Sequence, residues 1–136
     1  MLVISSMNSD PGSGTMDRNT FRIRPAYGTD HLLVELCGDH RAPGYPDVAR
    51  LLAAALGATQ HPHPPGATTI MMATDRYAST WSYPGGRYEI DDDVCGYFVM
   101  APDGDPAVIA DIERALVAGG CFVPADDADP GRAGRP

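Results

Sequence analysis

Residues 77–90 read YASTWSYPGGRYEI, and this stretch decides the fold. Pro84-Gly85-Gly86 has turn chemistry, because proline presets its own φ and glycine tolerates the positive φ of a tight reversal. On either side of it the residues alternate. Tyr77, Ser79, Trp81 and Tyr83 share one face of the first arm, and Tyr88 and Ile90 share one face of the second. Aromatic pairs across the arms stabilise such a hairpin, so antiparallel β-structure is the starting point.

Outward from the hairpin, short apolar runs at 68–73 (TTIMMA) and 94–101 (VCGYFVMA) extend it to a four-stranded meander of 68–73, 77–83, 87–90 and 94–101. Residues 59–66 (TQHPHPPG) are expected to be a connector, since prolines at this density break both helix and ladder. Further upstream, Phe21-Arg22-Ile23-Arg24 alternates and residues 32–36 form an apolar run, giving two more strands around a turn at 27–30. Residues 121–123 supply a short final strand.

Two helices complete the set. Val48, Leu51, Leu52, Ala55 and Leu56 recur at helical spacing, with Pro46 placed as a first helical residue, Asp47 in the first turn and Gly57 at the end. The second helix is expected over 107–118. Asp105 is its N-cap, Pro106 its first residue, Val108, Ile109, Ile112, Ala115 and Leu116 its apolar stripe, and Gly119-Gly120 its stop. The expected fold is α+β: a mostly antiparallel sheet of five to seven strands with two helices packed on one face.

The chain has 136 residues, enough for one domain. Residues 1–19 and 126–136 are rich in Gly, Pro, Ser and Asp and lack apolar periodicity, so both are expected to be disordered tails around a single domain at 20–125. The net charge is −8, and all ten basic residues are Arg. Acidity of this kind argues against nucleic-acid binding, which depends on neutralising phosphates. No stretch approaches the roughly 20 apolar residues of a membrane helix. Three cysteines are too few and too uneven for a secreted disulfide framework. The expectation is a soluble cytoplasmic protein from a GC-rich bacterial genome.

The side chains that could carry chemistry do not converge on a known pattern. His61-x-His63, with Cys37, Asp39 and His40 upstream, fits no tetrahedral template, so neither metal nor cofactor is expected. Cys37 and His40 share one loop, whereas a catalytic thiol and its base usually come from distant positions, so no catalytic residue is assigned. Cys95 and Cys121 sit in apolar contexts and read as small core residues. Asp91-Asp92-Asp93 is the densest charge run and is expected in a solvated turn after the hairpin.

An acidic run beside aromatic residues suits capture of a protein partner, a basic one by complementarity. The candidate binding residues are therefore Trp81, Tyr83, Arg87, Glu89, Asp91, Asp92 and Asp93. The expected function is that of a small acidic binding protein working through a surface, in an inhibitory, immunity-type or accessory role. The alternative is a small enzyme or ligand-binding domain with a pocket lined by Trp81, tyrosines and histidines.

Overall fold

The computed structural model describes residues 19–26 and 28–125; of the expected tails at 1–19 and 126–136 all but Asn19 lie outside the described residues, and Asn19 begins the first strand. In chain order the elements are β1 (Asn19–Pro25), β2 (Leu32–Leu36), α1 (Val48–Leu56), β3 (Thr59–Gln60), α2 (Ala67–Thr74), β4 (Arg76–Tyr83), β5 (Gly86–Asp93), β6 (Gly96–Met100), α3 (Pro106–Ala118) and β7 (Phe122–Pro124). The strands form one seven-stranded sheet in the order β3-β4-β5-β6-β2-β1-β7. Every neighbouring pair is antiparallel except β1 and β7, which run parallel. This is the expected α+β architecture, with a third helix added.

The hairpin sets the register for the rest. Tyr83 pairs with Gly86 across Pro84-Gly85, Trp81 with Tyr88, and Ser79 with Ile90. Gly86 takes φ +149°, and a Cβ there would come within 2.8 Å of the Val108 side chain, so only glycine fits under α3. From this register the odd positions of β4 and the even positions of β5 face α1 and α3. Tyr88, Ile90, Val99, Val34 and Phe21 form the sheet side of the core, against Val48 and Leu52 of α1 and Val108, Ile109, Ile112 and Leu116 of α3.

Both expected helices form where the apolar spacing puts them. Asp105 caps α3 by accepting from the Ala107 N–H, with Pro106 as its first residue. Asp47 is the N-cap of α1, not a first-turn residue: its carboxylate accepts from the Arg50 N–H, and the helix starts at Val48. Gly57 closes α1 in the left-handed conformation at φ +69°.

Two elements depart from expectation. Residues 68–73 lie in helix α2 rather than in a strand. Thr59 and Gln60, expected within an irregular connector, pair with Ser82 and Trp81 as β3, and the His61 N–H extends the contact by donating to the Thr80 carbonyl. The second difference explains the first. With β3 and His61 holding the outer edge of β4 from Thr80 to Ser82, residues 68–73 have no free ladder along that length. They coil instead, and Asp75 in the left-handed region (φ +54°) turns the chain into β4.

The cysteines also differ. Cys95 and Cys121 are exposed, because one lies in the β5–β6 turn and the other precedes β7, outside the alternation that buries neighbouring strand residues.

Candidate functional site

The aromatic and acidic residues of the hairpin do not form one patch. Strand alternation sends them to opposite faces of the sheet. Trp81, Tyr83 and Asp92 lie on the face covered by α1 and α3, whereas Arg87, Glu89, Asp91 and Asp93 lie on the other, open face.

On the covered face the aromatics pack. Trp81 is half-buried and lies parallel to the fully buried Tyr88, with ring centroids 6.2 Å apart. Its indole N–H donates to Ser79 Oγ at 2.8 Å. The Tyr83 hydroxyl donates to Asp111 Oδ2 at 2.6 Å and so ties the hairpin to α3. Burial, then the Asp111 carboxylate, raises the Tyr83 pKa above the ordinary tyrosine value. Asp92 belongs to a separate cluster at the far end of the hairpin. Its carboxylate accepts from His40 Nε2 at 3.0 Å and from Arg41 Nε at 3.1 Å. His40 Nε2 also approaches the Asp93 carbonyl at 3.1 Å, so this nitrogen faces two acceptors and carries the proton. The His40 ring stacks on Tyr97 at 4.9 Å, and Arg41 continues to both oxygens of Asp75. The loop after β2 is thereby stitched to the end of β5.

On the open face the acidic run is mostly engaged. Asp91 is buried, at 7 % exposure, and receives Nε and Nη2 of Arg76. Asp93 accepts the Cys95 and Gly96 N–H groups and so shapes the β5–β6 turn. Arg87 pairs with Asp103, whose pKa is lowered first by that hydrogen bond. The run is therefore a segment of strand with structural duties rather than a solvated turn. Glu89 is the exception. It is half-buried between Thr80 and Met100 on the open face, and among the described residues its carboxylate has neither ion pair nor hydrogen bond.

What the sequence reading missed is beside Glu89. Helix α2 lies along β4 and buries none of its side chains. Ile70 and Met72 are 64 % and 66 % exposed, and Val94, at the β5–β6 turn, is 70 % exposed. Between α2 and the sheet runs an open groove of about 630 Å³, lined by Ile70, Met71, Ala78, Val94, Glu89 and Asp93 among others. A weak signal was present: residues 67–74 show little segregation of apolar from polar positions, as in a helix without a buried face.

The histidines His31, His40 and His61 are dispersed over the described residues. His40 packs on Tyr97, His61 bonds to Ser82 Oγ at the β3–β4 edge (2.6 Å), and His31 packs against Gly104. Among the described residues no three His, Cys, Asp or Glu side chains converge as metal ligands would. Among the same residues no helix is long and apolar enough to cross a membrane. Comparisons with family models, with curated proteins and with solved structures gave no match for this chain.

Proposed function

We propose that this chain is a non-catalytic cytoplasmic binding protein that acts through a surface on a protein partner, in an inhibitory, immunity-type or accessory role. The observation that carries this reading is α2. An eight-residue helix with no buried side chain gains little from its own fold, because short helices depend on packing for stability. Its Ile70 and Met71 line the groove on the open face and Met72 is exposed next to them, and an apolar surface rimmed by polar groups marks an interaction site. The binding surface is thus shifted from the hairpin aromatics, which pack against the core, to α2, Val94 and the open-face residues Glu89 and Asp93.

The test is affinity capture from the native host, followed by reconstitution of a complex from purified components. Wild-type protein should form a complex of fixed stoichiometry, and an Ile70→Asp/Met72→Asp variant should lose it while keeping its folded circular dichroism spectrum. A complex that survives the double substitution, or none at all, would overturn the reading.

A further inference from the structure

We propose that the groove between α2 and the open sheet face receives a cationic, apolar-flanked segment of a partner protein, with a Lys or Arg side chain at Glu89 and apolar side chains on Ile70, Met71 and Val94. This rests on the surface-binding reading above and names the chemistry of the partner.

Most charges at the groove are already engaged. Arg76 is held by Asp91, and Asp75 by Arg41. Asp93 has one carboxylate oxygen occupied by the turn amides. Glu89 is half-buried and makes neither ion pair nor hydrogen bond among the described residues; Arg76 and Arg87 feel its field, but each of them is paired with another carboxylate. Any occupant of the groove removes more water from this carboxylate. Desolvating an unpaired carboxylate is unfavourable unless a cation takes the place of the water, so an occupant that is neutral or acidic at this point is disfavoured.

The rest of the lining excludes a purely polar ligand. Ile70, Met71, Ala78 and Val94 give the groove apolar area beside Glu89, which a hydrated small cation would leave uncovered. The net charge of −8 draws a cationic segment in and repels both phosphate backbones and anionic lipid surfaces. Together these features select a peptide in which basic and apolar side chains alternate.

The experiment is a titration of ¹⁵N-labelled full-length protein with three synthetic hexapeptides: alternating Leu-Lys, alternating Leu-Glu and alternating Ser-Lys. The Leu-Lys peptide should shift the amides of Ala78, Glu89 and Val94, and the other two should bind more weakly. Glu89→Gln should weaken the Leu-Lys peptide about fivefold, the upper end for a single partly exposed ion pair. Raising the salt should weaken it further. Equal binding of the Leu-Glu peptide, no effect of Glu89→Gln, or shifts centred away from the groove would overturn the assignment. So would groove shifts produced without peptide by raising protein concentration, or by deleting residues 1–18, since the occupant would then be a second copy or the chain's own N-terminal segment. If the peptides fail while the Ile70/Met72 variant still loses its partner, the cationic assignment falls and the surface reading stands. If the peptides bind as stated and capture ignores that variant, the reverse holds.

Discussion

Arg76 leaves 60 % of its side chain in water, whereas the side chain of its partner Asp91 leaves 9 %, so the two ends of this ion pair are not equivalent. Removing the arginine strands a buried carboxylate, while removing the carboxylate's charge leaves a guanidinium that water can solvate. Arg76→Met should therefore destabilise the fold by about 2 kcal/mol, below the range for fully buried pairs because Arg76 is already largely hydrated. Asp91→Asn should cost about half as much. Urea unfolding of both variants measures the difference, and equal or reversed losses would show that burial does not govern the pair. The register that creates it was within reach of the sequence. A first arm of seven residues, 77–83, requires a second arm of equal length from Gly86, which carries the ladder to Asp92. A second arm that ends at Ile90, where the apolar alternation ends, leaves the aspartates to a turn. Their separate duties with Arg76, His40 and the β5–β6 amides could not be read in advance, because those partners are brought together only by the fold.

Helix α2 is where local pattern and tertiary context disagree. Thr68, Thr69 and Ile70 favour a strand by β-branching, and the same residues coil because the neighbouring ladder is taken by β3 and His61. Elements with strong internal markers fared better. The caps and stripe of α3, the stripe of α1 and the Pro-Gly-Gly turn each encode their structure over a few residues, independently of distant partners. The groove had no such marker, because it exists only through the approach of α2 to β4 and β5. The same weakness makes a prediction about dynamics. Gly66 gives α2 no side-chain cap and no side chain of the helix is fully buried, so local opening should be frequent. Amide hydrogen exchange at 67–74 should run roughly a hundredfold or more faster than in the central turns of α3, which is anchored by five buried residues. Protection of α2 equal to that of α3 would mean the helix is held by contacts its burial does not reveal, and the open-groove reading would lose its basis.

Across the whole molecule the tyrosines tie stability to alkaline pH, and the composition leaves that range unusually uncluttered. There is no lysine, so tyrosine is the main group that titrates near pH 10–12. Tyr45, Tyr88 and Tyr97 are each pushed up to about 12, burial being the largest cause in every case. Neighbouring Cys37 and Tyr97 add to the effect at Tyr45, and Asp92 and Asp47 add to it at Tyr97. The buried Tyr88 hydroxyl has no hydrogen-bond partner among the described residues. These three side chains line the covered face from the hairpin to α1. In the unfolded chain they ionise near pH 10, whereas in the folded chain they hold their protons to about 12. Between those values the folded state binds more protons than the unfolded one, so unfolding becomes more favourable as pH rises. Below about pH 10 all three are neutral in both states and contribute no pH dependence. Guanidinium unfolding midpoints should therefore show no tyrosine-linked change up to about pH 9.5 and fall steeply towards pH 11.5. Tyrosinate absorbance from these residues should rise with unfolding rather than ahead of it. A Tyr45→Phe/Tyr97→Phe variant should show a shallower decline. Constant midpoints between pH 9.5 and 11.5, or full ionisation of the tyrosines in protein that is still folded, would show that the covered face is open to water and that the core does not close over it as described.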